Sequence, residues 1–384
     1  MKLPSGLKPY LAIALVAAVG YGIWAERGLI FYAAESVLPE GKSQVVQGVM
    51  RLDMQESDFK TVATGLEVPW DIAFLPDGDL LVTERPGRLK RIAPDGAVTE
   101  IKGVDDVREG GEGGLLGVAV HPRFATTGWI YLYRTVTSGG AAKNRVDRYR
   151  LDGDALVERS TIIQNIPGAV YHDGGELVFG GDDKLYVTTG DATQGVLAQD
   201  PKSLAGKILR LNDDGTIPSD NPFGNAVWSY GHRNPQGLAW DAQGRLWATE
   251  HGRSGVQSGY DELNLIEPGK NYGWPDIEGD EAGVGMRTPV VNSGATDTWA
   301  PAGMAFYNGS LIFGGLRGEA LYQARIGTSP VAVISHFERE YGRIRAVVMG
   351  PDRMLYFTTS NRDGRGLPKT GDDKIVRVNP RLFQ

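Results

Sequence analysis

IAFLPDGDLLVTE, residues 72–84, contains two short apolar strands joined by a turn of Pro, Asp and Gly. Five later stretches repeat this pattern of an apolar strand, a turn rich in Gly, Asp or Asn, and a second apolar strand. They begin at Val118, Leu177, Leu238, Met304 and Val347, so that successive copies start 43 to 66 residues apart. A repeat of this length is typical of a propeller, in which each unit is a four-stranded sheet.

Most copies are followed by a third alternating run, such as GRLKRI at 87–92, and the spacing leaves room for a fourth strand. Six copies therefore predict an all-β, six-bladed β-propeller. A strand near Phe59–Ala63 should complete the last blade and close the ring. The 53 glycines and 21 prolines also favour many short strands joined by turns over a helical bundle. A β-sandwich or a pair of all-β domains is the alternative.

Composition excludes several classes of protein. The chain has 384 residues, of which 41% are hydrophobic and 23% charged, and these values exclude wholesale disorder. Cysteine is absent, which excludes disulfide scaffolds, thiolate zinc sites, iron–sulfur clusters and cysteine nucleophiles. The net charge is −7 and no long basic run occurs, so nucleic acid is not an expected partner.

The N-terminus resembles an export segment. Two lysines precede an apolar run of 17 residues, Pro9 to Ala25. This length lies between that of a signal-peptide core and that of a minimal membrane span. We predict that residues 1–27 form an uncleaved membrane-anchor helix, with a cleaved signal peptide or a buried core helix as alternatives. A linker at 28–57 and a propeller at 58–384 follow. The body should then lie in the periplasm or another extracytoplasmic space, anchored to the inner membrane.

The repeat also predicts where a functional site lies. In each copy the hairpin turn lies at one end of the strand pair, so residues before the first strand and after the second meet at the opposite end. We call that end the functional face. It carries Glu112, His172, Arg233, Asn234, Thr298, Arg343 and Arg345 before first strands, and Asp191, His251, Gly252 and Arg317 after second strands. Strand packing does not require these polar types, although a set of solvated loop residues is the simpler alternative.

Of the five histidines, His172 is the candidate catalytic residue, because it stands at a blade entrance beside flexible glycines in YHDGGELVF. His121 and His336 occur in ordinary strand or turn contexts and should be structural. His232 could form a hydrogen bond between blades, and His251 could serve either role.

Four arginines, Arg233, Arg317, Arg343 and Arg345, converge on the functional face from three blades. No row of opposing carboxylates is evident at those positions, and the mutual repulsion of the arginines would be costly without an anion. A ligand with several carboxylates or phosphates would fit. The loop within Glu250–Ile266 is rich in oxygen ligands and is a weak signal for calcium.

Several motifs resemble those of the soluble glucose/sorbosone dehydrogenase family. They include VPWDIAFLPDG, GEGGLLGVAVHP, HDGGELVF, GHRNPQGLAW and DELNLIEPGKNYGWP. The resemblance covers about residues 60–380 and itself implies a six-bladed propeller. Members of this family include aldose sugar dehydrogenases that use pyrroloquinoline quinone (PQQ).

The resemblance implies roles for individual residues. His172 matches the general base. The positions implied for the cofactor are Glu112, Arg233, Asn234, Thr298, Leu316, Arg317, Gly318, Arg343 and Arg345. The positions implied for calcium are Gly252 and Arg253, through backbone carbonyls, and Glu262 and Tyr272 at a further site. Glu112 departs from the family, because glutamine is usual there and a carboxylate adds negative charge near a polyanion.

The function implied is oxidation of an aldose hydroxyl by hydride transfer to PQQ, with calcium as Lewis acid and an external electron acceptor. Two other classes remain open. One is a non-enzymatic binding propeller, since the hedgehog-interacting proteins of animals resemble this family. The other is a calcium-dependent lactonase on a six-bladed propeller, which would leave the four arginines unexplained.

Overall fold

The computed structural model describes residues 45–46, 58–255 and 258–384. The expected anchor at residues 1–27 and most of the expected linker lie outside the described residues. In the part of the chain that is described, no helix is both long and apolar enough to span a bilayer.

The described chain forms six β-sheets, which confirms the six-bladed propeller. Two strands precede the first blade, β1 (Val45–Val46) and β2 (Phe59–Ala63). Blade 1 contains β3 (Pro69–Phe74), β4 (Leu80–Glu84), β5 (Arg88–Ile92) and β6 (Val98–Ile101). Blade 2 contains β7 (Leu115–Val120), β8 (Trp129–Ser138), β9 (Ala141–Asp152) and β10 (Ala155–Pro167). Blade 3 contains β11 (Leu177–Phe179), β12 (Leu185–Thr189), β13 (Lys207–Leu211) and β14 (Val227–Tyr230).

The second half of the ring repeats this order. Blade 4 contains β15 (Pro235–Trp240), β16 (Leu246–Glu250), β17 (Glu262–Ile266) and β18 (Val291–Asn292). Blade 5 contains β19 (Pro301–Tyr307), β20 (Ser310–Gly315), β21 (Ala320–Arg325) and β22 (Ala332–His336). Blade 6 contains β23 (Ile344–Met349), β24 (Leu355–Thr359) and β25 (Ile375–Val378). The described helical segments are α1 (Phe124–Thr127) and two 3₁₀ turns, Gly195–Gln199 and Pro380–Phe383.

The ring closes as the sequence predicted. Strand β2 pairs antiparallel with β25 as the fourth strand of blade 6, with Phe59 opposite Val378. The inner strands contact one another around the channel, and β23 of blade 6 packs against β3 of blade 1. Strand β1 adds a parallel edge to β22 of blade 5. The N-terminal and C-terminal parts of the propeller are therefore held together by one sheet.

Alternating apolar residues build the core between neighbouring blades. In five blades the second strand is shielded on both faces, and every residue of β4, β12, β16, β20 and β24 is buried. Between blades 1 and 2, for example, Leu81 and Leu89 pack with Leu132 and are fully buried. Burial of a side chain of this size contributes about 1.5–3 kcal/mol.

The inner strands of five blades contain a bulge near the functional face, a feature that the repeat did not predict. On β3 the pairing shifts between Pro69 and Asp71, and on β23 it shifts between Ile344 and Val347. The same shift occurs in β7, β15 and β19. A bulge adds a residue to one strand and re-aims side chains. It therefore turns selected side chains of the inner strands towards the channel.

Candidate active site

A cavity of about 320 Å³ opens on the functional face. Its lining comes from loops that connect blades and from the loops that follow the second strands of blades 4, 5 and 6. The lining residues are Glu112, Tyr171, His172, His251, Gly252, Arg253, Ser254, Gly255, Ser258, Asp261, Thr298, Ala300, Leu316, Arg317, Arg343 and Arg365. Eight of the fourteen residues singled out from the sequence are in this lining. Arg233, Asn234 and Arg345 are instead buried, with direct or relayed contacts to it, while Gly318, Glu262 and Tyr272 do not line the cavity.

His172 is held by a buried carboxylate. Its Nδ1 lies 2.7 Å from Asp191 Oδ1, and its side chain is 13% exposed. Asp191 is almost fully buried and also accepts hydrogen bonds from Thr193 N at 2.7 Å and Trp274 Nε1 at 2.8 Å. A carboxylate only accepts, so Nδ1 of a neutral His172 carries the proton and Nε2 is left as the basic nitrogen.

Glycines allow the backbone around His172 to pack closely. His172 itself has φ +64°, in the left-handed region that costs energy for a residue with a Cβ. A Cβ on Gly190 would collide with the His172 carbonyl oxygen, and one on Gly174 would collide with the backbone of Thr188 and Thr189. The HDGG and TTGD motifs thus supply the space that brings base and carboxylate together.

The arginines are more fully compensated than the sequence suggested. Arg343 donates from Nε and Nη2 to Asp363 Oδ2, at 2.9 and 2.7 Å, and from Nη1 to the Leu316 carbonyl at 2.9 Å. The expectation that no carboxylates oppose these arginines is therefore wrong for Arg343. Its partner was missed because Asp363 lies in a loop that carries no repeat signal. Arg317 is exposed and has no carboxylate partner among the described residues.

Arg345 has only neutral partners. It belongs to the bulge of β23 and reaches into the channel, where Nη1 lies 3.3 Å from Gln236 Oε1 and Nε 3.5 Å from Ser360 Oγ. Its guanidinium also lies over the Trp70 ring at 5.4 Å. Trp70 and Gln236 are themselves bulge residues of β3 and β15. Burial lowers the pKa of Arg345 to about 10, against the attraction of the Asp363 charge and with added repulsion from Arg343. A buried cation of this kind favours an anionic ligand.

Four buried polar atoms beside the cavity lack a hydrogen-bond partner among the described residues. They are Arg233 Nε, Asn234 Nδ2, His251 Nε2 and Arg253 Nε, the last of which lies 3.3 Å from Glu278 Oε2 as an ion pair. Arg233 is otherwise held by Ser254 Oγ at 3.0 Å, and burial lowers its pKa. Burial also lowers the pKa of His251 to about 3. Buried polar groups without a partner are uncommon in folded proteins, so the Arg233 and Asn234 donors are available to a polar ligand.

Glu112 contacts the base rather than standing free. Its Oε2 accepts the His172 N–H at 2.9 Å, and its Oε1 accepts from Arg365 Nη1 at 3.1 Å. Burial opposes the shift, but His251, the His172 N–H and Arg365 together lower the pKa of Glu112. The extra negative charge expected from this position is therefore compensated by Arg365, a residue that the sequence reasoning missed.

Asp261 organises the part of the cavity where calcium was expected. This buried carboxylate accepts from Gly252 N, Thr298 Oγ1, Trp299 N and Ala300 N, all at 2.7 to 2.8 Å. Among the described residues, no three His, Cys, Asp or Glu side chains are grouped so that they could hold a metal ion. A cation beside Gly252 would therefore depend on backbone carbonyls and on the ligand itself.

The second expected calcium position lies within blade 4. Glu262 pairs across the sheet with Glu250, and burial together with that neighbouring carboxylate raises the pKa of Glu262 well above its usual value. The Tyr272 hydroxyl donates to the Leu265 carbonyl at 2.6 Å and accepts from Glu267 N at 2.8 Å. The Tyr272 phenol is thus engaged in two hydrogen bonds within the protein.

The remaining histidines have structural contacts. His232 is fully buried and links blades 3 and 4, since it lies 2.8 Å from both Ser229 Oγ and Glu250 Oε2. His121 Nε2 lies 3.1 Å from Asp213 Oδ2. His336 Nε2 lies 3.1 Å from Gln323 Oε1. These contacts agree with the structural roles expected from the sequence.

Comparison with known proteins identifies the family of this chain. The family model described as Glucose / Sorbosone dehydrogenase matches residues 66–369. The aldose sugar dehydrogenase YliI of Escherichia coli is 35% identical over 350 residues, which cover 82% of this chain and 91% of that protein. The quinoprotein glucose dehydrogenase B of Acinetobacter calcoaceticus is 34% identical over 263 residues, covering 59% of this chain and 54% of that protein.

A solved structure is similar over nearly the whole propeller. The PQQ-bound form of the aldose sugar dehydrogenase from Streptomyces coelicolor is 44% identical and has a TM-score of 0.78, with 83% of this chain and 96% of that chain covered. The family match, the relatives that align over most of their length and the six-bladed ring agree with one another. This chain therefore belongs to the glucose/sorbosone dehydrogenase family.

Proposed function

We propose that this protein oxidises a hydroxyl group of an aldose sugar, with PQQ as its redox cofactor. The observation that carries the proposal is the His172–Asp191 pair, which opens into a cavity bordered by arginines. A base that is oriented by a buried carboxylate suits removal of a hydroxyl proton. Relatives that are named aldose sugar dehydrogenase and quinoprotein glucose dehydrogenase support this choice of substrate and cofactor.

The residues present fit PQQ, which carries three carboxylates. Arg345 is buried without a carboxylate partner, and Arg317 is exposed in the cavity wall without one among the described residues. The unpaired Nδ2 of Asn234 and Nε of Arg233 are donors for carboxylate or quinone oxygens. Arg343 could bind a PQQ carboxylate only if that carboxylate competes with Asp363 for its guanidinium. The cofactor, when bound, supplies the hydride-accepting chemistry, and the protein supplies position and charge.

In this scheme His172 takes the proton of the sugar hydroxyl at Nε2. Asp191 keeps the proton on Nδ1 and stabilises the imidazolium that forms, because its charge lies 2.7 Å away in a buried setting. The bonds from Thr193 and Trp274 fix both oxygens of Asp191, so the imidazole plane is fixed as well. General-base assistance of this kind contributes about 100- to 10,000-fold.

Calcium is the second proposed cofactor. Gly252 and Arg253 line the cavity, and Asp261 fixes this segment through Gly252 N. The Arg253 carbonyl also accepts from Ser258 Oγ at 3.3 Å, so a cation would compete with that contact. A cation held there would act as a Lewis acid towards the quinone. At the further site, a cation near Glu262 would relieve its repulsion with Glu250, with the Tyr272 carbonyl as an additional ligand.

The location of the enzyme is also a proposal. The apolar run from Pro9 to Ala25, preceded by lysines, supports export of the propeller with retention at the inner membrane. The reduced cofactor would then pass its electrons to an external acceptor.

Reconstitution tests the proposed function. Purified protein would be titrated with PQQ in the presence of calcium and then assayed with aldoses and an artificial electron-accepting dye. We expect saturable PQQ binding and dye reduction that requires sugar, PQQ and calcium. PQQ binding without sugar oxidation would instead indicate a binding propeller, and hydrolysis of lactones with calcium alone would indicate a lactonase.

A further inference from the structure

A set of contacts on the rim of the cavity joins three blades at the backbone of His172. Glu112 precedes β7, His172 precedes β11, and Arg365 lies in the loop after β24. Glu112 Oε2 accepts the His172 N–H at 2.9 Å, and Arg365 Nη1 bonds the other oxygen of Glu112 at 3.1 Å. The guanidinium of Arg365 also lies over the Tyr171 ring at 5.6 Å. We call Glu112, Arg365 and Tyr171 the rim clamp.

We propose that the rim clamp positions His172 as the base, with Arg365 acting through Glu112. The role is one of positioning, because Arg365 touches the carboxylate and the tyrosine ring but not the imidazole. The inference rests on the proposed function for its kinetic consequence, whereas its structural consequence can be measured without cofactor or sugar.

The need for a clamp follows from the backbone of His172. At φ +64° this residue occupies a conformation that is unfavourable for L-residues by about 1–2 kcal/mol. Its N–H bonds to a side chain, Glu112, and not to a strand. Among the described residues, its carbonyl accepts one hydrogen bond, from Ala192 N at 3.2 Å. The strained conformation is therefore held from one side by Glu112 and from the other by the Asp191 segment.

The Glu112 loop is itself built to approach His172. Glu112 N donates to the Val170 carbonyl at 2.9 Å, and Gly111 has φ +62°. A Cβ on Gly111 would collide with that same carbonyl oxygen, so the approach requires glycine. The remaining freedom is the rotamer of Glu112. Arg365 fixes that rotamer, and its stacking on Tyr171 holds the guanidinium in place.

The clamp also connects the base to the cofactor side of the cavity. Arg365 N donates to Asp363 Oδ1 at 2.9 Å, and Asp363 Oδ2 accepts from Arg343. One short loop thus touches both the arginine expected to meet a cofactor carboxylate and the residue that holds the base. As a half-exposed ion pair, Arg365–Glu112 contributes little to global stability. Its effect should appear in the geometry of His172.

The test compares Arg365→Met with a matched control, Arg362→Met. Arg362 lies in the same loop and is exposed, but it bonds the Asp372 carbonyl and does not contact Glu112. In the reconstituted enzyme we expect Arg365→Met to lower kcat roughly tenfold, since displacement of a catalytic group by about 1 Å can cost a hundredfold. KM should change less than about threefold, and Arg362→Met should resemble the wild type.

A double-mutant comparison separates the clamp from general damage. Glu112→Gln keeps an oxygen for the His172 N–H but places an NH₂ group against Arg365. It should therefore match Arg365→Met, and the double variant should be no slower than either single one. Multiplicative losses, or an equal loss in Arg362→Met, would overturn the proposal.

A measurement on the PQQ-free protein makes the test independent of catalysis. The Nδ1 proton of His172 should give a downfield NMR resonance, assigned by its loss in His172→Gln. The His232 proton that faces Glu250 at 2.8 Å provides an internal control. In Arg365→Met the His172 resonance should exchange faster with water while that of His232 is unchanged. An unchanged His172 resonance would refute the clamp, whereas wild-type enzyme without sugar oxidation would refute only the proposed function.

Discussion

Replacement of Asp191 by Asn tests the proposed mechanism most directly, because it removes one charge without removing volume. The Asp191 carboxylate accepts from His172 and Thr193 through Oδ1 and from Trp274 through Oδ2, at 2.7 to 2.8 Å. An asparagine amide has one oxygen, so it cannot satisfy all three donors. In either orientation at least one buried donor meets an NH₂ group, at a cost of about 1–3 kcal/mol.

The two orientations of the amide lead to the same kinetic outcome. With its oxygen towards His172, the imidazole keeps its tautomer but loses the charge that stabilises the imidazolium. With its NH₂ group towards His172, Nδ1 must accept, and the proton moves to Nε2, where the base is needed. The same substitution in the serine-protease triad lowers kcat by about 10,000-fold. We expect a loss of at least about 100-fold here, since the base contributes about 100- to 10,000-fold.

The assay combines turnover of sugar with titration of PQQ for Asp191→Asn, His172→Gln and the double variant. Residues that act as a unit have non-additive effects, so the double variant should be no slower than His172→Gln. PQQ affinity should stay within about threefold in each, because neither side chain belongs to the arginine set. Turnover near that of the wild type in Asp191→Asn, or a double variant slowed by the product of the two losses, would refute the reasoning.

Three further predictions concern affinity, stability and location. Arg345→Ala should weaken PQQ binding by at least about tenfold, because a charge-assisted bond is worth about 1.5–3 kcal/mol. Arg343→Ala should weaken it less, because Arg343 is already paired with Asp363. Equal losses of PQQ affinity in a fluorescence titration would contradict this order. Burial lowers the pKa of His336 from 6.5 to about 4. The unfolded chain therefore binds a proton that the folded chain does not, and stability is lost as pH falls below 6.5. Between pH 6.5 and pH 5, urea unfolding should show a loss of stability that is about 1.5 kcal/mol smaller for His336→Gln than for the wild type. An identical loss in the two proteins would be evidence against this assignment. A chain that begins at Ser36 should leave the membrane fraction and keep PQQ binding, and its recovery with membranes would show that residues 1–35 are not the anchor.

The architecture could be predicted because it repeats. Each copy repeats the same pattern of two apolar strands and a turn, so the six copies together indicate the fold better than any one of them. The position of His172 at the functional face follows from strand order alone. The bulges could not be predicted, because the inserted residue is of a different type in each blade. Trp70, Gln236 and Arg345 share no motif, and yet equivalent bulges bring them into contact in the channel.

Pairings across the ring were the least predictable part of the site. Asp363 is 20 residues from Arg343, and Arg365 is 253 residues from Glu112. The Asp363–Arg365 loop has no periodicity that would mark it as functional. In a propeller, loops of distant blades meet at one end of the channel because the ring is closed. Which charged side chains form a pair there depends both on ring closure and on the lengths of the loops. Strand periodicity predicts closure but says nothing of where an irregular loop places its side chains.

This separation between repeat and loop has a consequence for how charge is balanced in the site. Burial of an arginine is costly unless an anion accompanies it. The repeat places Arg343 and Arg345 two residues apart at the edge of blade 6, where one was found paired and the other unpaired. Asp363 compensates Arg343 within the protein, whereas Arg345 is left to the ligand. The fold therefore keeps Arg343 paired within the protein and still presents to the cofactor Arg345, a buried cation without a hydrogen-bonded carboxylate. Loops can thus change how charge is distributed between protein and ligand while the blades stay the same.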